Sequence, residues 1–233
     1  MNFTWEGRQL KTAVANGKNI SYTYNSDGIR TGKTVDGVAT KYFLDDSTIL
    51  AQQTGSDVLW FLYESDGTRV GFTYNGYSYH YTKNAQGDVT GIVDQLCNPV
   101  VQYSYDAWGK LLSTTGSLAS TIGKQNPFRY RGYYYDSESG LYYLNSRYYD
   151  PNTGRFISED GQFNSDIGLT GNNLFTYCNN NPTNMHDSDG YKATADDGTD
   201  RWVYYDNSGR KYESKGNGKT VSVSSKRTVS FNP

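Results

Sequence analysis

Cysteine, histidine and proline are scarce in this sequence of 233 residues, which holds 2, 2 and 5 of them. Two cysteines, Cys97 and Cys178, do not make a disulfide framework, and two free, partly buried thiols are the simpler reading. His80 and His186 form no metal-spaced pair with either cysteine, so neither a metal site nor a cofactor is expected. Aliphatic residues are short as well. The hydrophobic fraction is 35%, below the roughly 45–50% of soluble domains, a reference that also counts glycine. No apolar run approaches the ~20 residues of a membrane span, and the opening MNFTWEGRQL lacks the apolar core of a signal peptide. Charge of one sign is lacking too. The net charge of −2 leaves no global footprint for nucleic acid or membrane binding, although residues 192–233 carry +3 against −5 for residues 1–191. Neither a Gly-x-Ser-x-Gly elbow nor a glycine-rich phosphate loop followed by a helix is present.

What replaces the missing aliphatics is tyrosine, 23 of them against 9 Phe and 4 Trp. Tyrosine buries a ring while its hydroxyl stays wet or hydrogen-bonded, which suits thin, half-solvated sheet layers. An aromatic, often followed by Asp or Asn, recurs a few residues ahead of a glycine. Copies begin at Tyr24, Tyr63, Tyr81, Tyr105, Tyr135 and Tyr149 and end at Gly28, Gly67, Gly87, Gly109, Gly140 and Gly154; a weaker one runs from Tyr205 to Gly209. The Asp or Asn can close an Asx-type turn and the glycine supplies positive φ, so each unit reads as a hairpin. Flanking runs such as 20–24 and 100–105 are rich in β-formers, and no stretch shows a long 3.6-residue period. A lone hairpin is marginal in water, so the units must pair edge to edge into one continuous sheet. The same reasoning predicts an unpaired edge near Tyr22 and Tyr24 that invites association with another chain.

This pattern resembles the YD repeats of RHS proteins, whose hairpins spiral into a hollow shell. A more specific resemblance covers residues 147–190, which read RYYDPNTGRFISED, a variable stretch, then NNLFTYCNNNPTNMHDSDG. The RHS repeat-associated core has the same order of elements: Arg-Tyr-Tyr-Asp-Pro, Gly-Arg-Phe, Ser-x-Asp, Asn-Leu-aromatic-x-Tyr, Asn-Asn-Pro and Asp-x-x-Gly. The implied fold is all-β: a curved, spiralling YD-repeat sheet, part of a shell, closed by a core plug. The implied domains are a wall over 1–145, the core over 146–191, and a variable cargo or truncated toxin tip over 192–233.

In that family, known for polymorphic toxins of interbacterial competition, the core cuts the chain just beyond the closing glycine and the shell holds the released polypeptide. Asp160 and Asp187 match the family's two acidic positions and Arg147 its motif arginine, which implies an aspartyl-type autoprotease acting once on itself. The implied cut is Tyr191–Lys192, with Gly190–Tyr191 as the neighbouring bond. Two carboxylates brought close cannot both ionise cheaply, so one stays an acid while the other activates water, and an arginine can orient one of them. Read locally, Asp160 and Asp187 are turn residues, Asp189 could serve the second turn, and Arg147 could cover a ring. The family pattern places proline after both acids, whereas Gly161 and Ser188 stand here, which loosens both turns and predicts slow or absent cleavage. The run Asn179-Asn180-Asn181-Pro182 reads as an extended turn shaping the plug, and His186 points away from its neighbour Asp187. In the tail, residues 219–224 read as a polar strand.

Implied partners are the chain's own C-terminal cargo, the upstream repeats and an immunity protein for the cargo. The implied location is secreted or cell-surface, as part of a larger exported protein. The alternative is a non-catalytic structural or adhesive YD-repeat fragment, and a sugar-binding β-protein stands further off.

Overall fold

The computed structural model describes residues 1–161, 173–191 and 193–195, together with the backbone of four short tail strands. Twelve antiparallel strands form the first sheet in strict sequence order. They are β1 (Asn2–Glu6), β2 (Gln9–Ala15), β3 (Lys18–Tyr24), β4 (Arg30–Val35), β5 (Val38–Asp45), β6 (Thr48–Thr54), β7 (Asp57–Tyr63), β8 (Arg69–Tyr74), β9 (Tyr77–Lys83), β10 (Val89–Val93), β11 (Pro99–Tyr105) and β12 (Leu111–Thr115). The sheet is open, with β1 and β12 at its edges. The edge expected near Tyr22 and Tyr24 is therefore displaced: β3 pairs on both sides, and Tyr22 is buried with its ring 5.3 Å from that of Tyr148.

The repeated motif explains the connections at one end of the sheet. Where the motif occurs, a four-residue turn is closed by a backbone bond, as from Gly28 N–H to Asn25 O, from Gly87 N–H to Asn84 O and from Gly109 N–H to Asp106 O. The side chain of the opening residue also accepts two amides: Asn25 from Asp27 and Ile29, Asn84 from Gln86 and Asp88, Asp106 from Trp108 and Lys110. At the other end, tight turns such as Asn16-Gly17 and Asn75-Gly76 hold positive φ at both central residues, the geometry matched to strand twist. The repeat tyrosine has its own task. The hydroxyls of Tyr24, Tyr63 and Tyr105 donate to the carbonyls of Leu10, Ile49 and Val89, which lie 14 to 16 residues earlier. Phenylalanine would fill the same space without these bonds, which is the physical reason for tyrosine.

A helical turn α1 (Ile122–Gln125) leads to a second, four-stranded sheet of β13 (Tyr134–Asp136), β14 (Leu141–Leu144), β15 (Arg147–Asp150) and β16 (Arg155–Phe156). The boundary expected between residues 145 and 146 falls inside this sheet, in the turn from β14 to β15, because Leu144 pairs with Arg147 and Tyr143 with Tyr148; the long ladder itself stops at Thr115. This second sheet packs against one face of the first. Tyr134, Leu141, Tyr143 and Tyr148 share one core with Ile20, Tyr42, Phe61, Phe72 and Val101 of the wall.

The two layers are also fastened electrostatically. Arg30 of β4 is fully buried, ion-paired to Asp136 at 2.5 Å, and enclosed by the rings of Tyr22, Tyr42, Tyr134, Tyr143 and Tyr148 at 4.3 to 5.7 Å. Lys33 adds contacts to Asp136 at 2.9 Å and Glu138 at 2.8 Å. In the tail, Val203–Tyr205, Lys211–Ser214, Val221–Val223 and Thr228–Val229 pair as a separate four-stranded sheet. Of the polar strand expected over 219–224, the middle is strand and the rest lies outside the described residues.

Candidate functional site

The turn Asn145-Ser146 between β14 and β15 supports the site from below. Ser146 uses its amide (3.2 Å) and its hydroxyl (2.8 Å) to hold the carbonyl of Asp189. That presses residues 187–190 against the second sheet so closely that a side-chain carbon on Gly190 would meet Leu144 O at 2.7 Å and Ser146 Oγ at 2.6 Å. Gly190 also adopts φ +78, which favours glycine. Above it, residues 173–176 run beside β16, with amides of Phe156 and Asp160 donating to the carbonyls of Phe175 and Leu174 at 3.0 and 2.9 Å. This pairing fixes Asp160.

Arg147, the first residue of β15, sits where these segments converge, with its guanidinium 3.6 Å from the centre of the Phe156 ring. Its Nη2 is 3.1 Å from Asp160 Oδ2 and 3.5 Å from Asp187 Oδ2. Its Nη1 donates to Leu174 O at 3.2 Å and its Nε donates to Gly190 O. Arg147 and Asp187 are buried and Asp160 is 17% exposed. Burial lowers the Arg147 guanidinium from its ordinary value, against the opposing pull of Asp160 and then Asp187. Asp187 Oδ1 accepts the Gly190 amide at 2.8 Å, so the turn that local reading expects is present as well.

Two further residues hold Asp187. Tyr133, buried, accepts the Asp187 backbone amide on its hydroxyl at 3.0 Å and bonds the Tyr177 hydroxyl at 3.2 Å. Arg131 ties the preceding loop to the wall, its guanidinium donating to Pro182 O and Met185 O on one side and Gln86 O on the other. That loop departs from the extended turn expected of the asparagine run. Cys178, Asn179 and Asn180 all have positive φ, a conformation asparagine tolerates, while the restriction from Pro182 reaches only Asn181. Cys178 is buried and Cys97 exposed.

The structure thus brings Asp160, Asp187 and Arg147 together. Beyond them, β17 (Met185–His186) pairs with β18 (Thr194–Ala195), so Gly190 and Tyr191 lie in the connection of a short hairpin. Tyr191 is 47% exposed and donates its amide to Asp189 Oδ1, so Asp189 serves this turn as well. Lys192, the other half of the expected cut, lies outside the described residues.

No family model matches this chain. Among curated proteins it is similar to the tRNA(Glu)-specific nuclease WapA of Bacillus subtilis subsp. natto, 43% identical over 197 residues, 81% of this chain and 8% of that protein. The tRNA3(Ser)-specific nuclease WapA of Bacillus spizizenii is 40% identical over the same shares. The crystal structure of TcdB2-TccC3-Cdc42 superposes with a TM-score of 0.65 at 22% identity, over 82% of this chain and 10% of that one. The chain belongs to the RHS/YD-repeat family. It spans about a tenth or less of the length of these relatives.

An RHS reading of the sequence finds the acids and the arginine, because they sit in a dense motif. It misses Tyr133, Arg131 and the carbonyls of Leu174 and Gly190. Tyr133 stands in a run of tyrosines where nothing local distinguishes it, and backbone carbonyls carry no sequence signal.

Proposed function

We propose that this chain is the closing part of an RHS toxin shell that cuts its own polypeptide beyond the core, freeing the residues that follow as cargo. The observation that carries this reading is the grip of one guanidinium on three groups at once: the carboxylates of Asp160 and Asp187 and the Gly190 carbonyl. The reading assigns the two acids different roles, one as the base and one as the proton donor, the division that two carboxyl groups sharing one site favour. The ionised group takes a proton from water as the water oxygen bonds to the scissile carbonyl carbon, and the protonated one gives its proton to the carbonyl oxygen. Collapse of the adduct breaks the C–N bond, the nitrogen takes up a proton, and a new carboxyl group and a new amine result. One water is consumed. Arg147 keeps one carboxylate ionised and aimed.

The scissile bond in this reading is Tyr191–Lys192, by the family pattern; the hold of Arg147 on Gly190 O supports Gly190–Tyr191 as the neighbouring bond. The cargo, the upstream repeats and an immunity protein are its partners, and delivery is as part of a larger exported protein.

Incubation of the purified full chain followed by intact mass measurement tests the proposal. Two fragments whose masses sum to the chain plus one water are expected, and the N-terminal fragment's mass identifies the bond. Asp160→Asn and Asp187→Asn should each give the uncut mass alone. A wild-type chain that keeps a single mass overturns the reading and leaves a non-catalytic structural or adhesive fragment.

A further inference from the structure

Arg8 lies in the turn between β1 and β2, far in sequence from the acid cluster, yet its guanidinium rests on the segment that carries Asp160. Its Nη2 donates to the Glu159 carbonyl at 3.3 Å. A side-chain carbon built on Gly161 would fall inside the same guanidinium, 1.4 Å from Nη1. Gly161 is outside the left-handed region, so what glycine provides there is room rather than a special dihedral. Arg8 therefore spans the residue on either side of Asp160. It also acts electrostatically on Arg147, which places the two cations in one neighbourhood.

We propose that Arg8 is a positioning residue for self-cleavage, clamping the 159–161 turn so that Asp160 stays beside Arg147. The proposal rests on the self-cleavage reading. In the family pattern a proline ring after the acid stiffens this turn through its fixed φ. Here Gly161 surrenders that stiffness, and the space it leaves admits a guanidinium from the first hairpin of the wall. A side chain at 161 would displace the Arg8 guanidinium from its present place. The acid cluster is then complete only when the first hairpin is docked, which couples the chemistry to assembly of the wall.

The test uses the full chain with Arg8→Gln, Arg8→Lys, Arg8→Ala, Gly161→Pro and the double variant Arg8→Ala/Gly161→Pro. Cleavage is followed by intact mass across pH, and backbone order by hydrogen exchange of the Asp160 and Gly161 amides. Arg8→Gln is expected to slow cleavage about tenfold or more, as loss of positioning does, with an unchanged melting temperature and unchanged pH limbs. Arg8→Lys should recover part of the rate. Adding Gly161→Pro to Arg8→Ala should recover it as well, because the ring replaces the clamp. A rate for Arg8→Gln equal to wild type, or a double variant no faster than Arg8→Ala, overturns the proposal. If the wild-type chain does not cleave, the self-cleavage reading fails by itself. Exchange then decides the clamp: faster exchange at Asp160 and Gly161 in Arg8→Gln upholds it, and unchanged exchange overturns it.

Discussion

Arg30 and Asp136, 106 positions apart in the sequence, meet through a 2.5 Å ion pair in which neither side chain is more than 1% exposed. Nε and Nη2 of Arg30 have no hydrogen-bond partner among the described residues and face tyrosine rings instead. The pair joins the fourth wall strand to the first strand of the second sheet, so it sets the register of one layer on the other. Removing one partner of such a pair leaves a buried charge uncompensated. Asp136→Asn is expected to destabilise the chain by about 3–5 kcal/mol, measured by denaturant unfolding, because Arg30 and Lys33 then lose their shared anion.

The same cluster sets a pH window. Burial alone would raise the Asp136 carboxyl, but Arg30 and then Lys33 overcome it and hold the group below its usual range. A depressed carboxyl stabilises the fold above its unfolded value of about 3.9 and loses that contribution as pH falls through the folded value. For Lys33, burial works against the charge, yet Asp136, Tyr42 and Glu138 raise the group above its ordinary value. Its contribution is full below about 10.4 and is lost as pH rises through the raised value. Unfolding free energy should therefore hold a plateau between these limits and fall on both sides, and Asp136→Asn should flatten the acid limb. An acid limb equally steep in that variant would count against the assignment.

Tyr105 tests why the repeats use tyrosine. Its hydroxyl donates to Val89 O at 2.8 Å, the link that recurs at Tyr24 and Tyr63. Tyr105→Phe keeps the ring contacts and removes this bond from the carbonyl of the buried Val89, so a loss of about 1–2 kcal/mol is expected. A melting temperature equal to wild type would show that water satisfies Val89 O.

Much of this fold is legible because its signals are local. An Asp or Asn shortly after the repeat tyrosine closes the turn, the glycine takes positive φ, and the paired strands follow in order. The Asn-Gly pairs at residues 16–17 and 75–76 are equally strong hairpin signals and complete the pattern. The site is half legible for a related reason. Arg147 and the two acids stand in a motif, whereas Arg8, Tyr133 and Arg131 contribute through contacts 54 to 151 residues long that no local pattern encodes. The open edge lies at β1 and not near Tyr22, and the sequence hides this because the alternation around Tyr22 looks the same on an edge strand as on a central one. Only the pairing of β1 and β2 distinguishes them.

That edge has its own consequence. Strand β1 presents one row of unpaired backbone groups, blunted by a bulge between Thr4 and Trp5. The full chain should self-associate in a concentration-dependent way on size exclusion, and Trp5→Lys should reduce this, since a lysine on an edge strand opposes pairing. A clean monomer at all concentrations would remove the argument.

Gly190 is where stability and the proposed chemistry meet. Its positive φ and the crowding by Leu144 O and Ser146 Oγ mean that even a methyl group must push the 187–190 turn away from the second sheet. That turn carries the Asp187 carboxylate through the Gly190 amide and delivers the Gly190 carbonyl to Arg147. Gly190→Ala should therefore reduce self-cleavage by about a hundredfold, the scale of a 1 Å misplacement in a reacting site. The main wall, whose core lies elsewhere, should stay folded, with a loss of about 1–3 kcal/mol from strain at one residue. Ser188→Ala is the matched control, because Ser188 is exposed and its side chain is not among the groups that hold the turn. If both substitutions slow cleavage equally, the turn is not what aims the carbonyl, and the link between its fit to the sheet and the reaction fails.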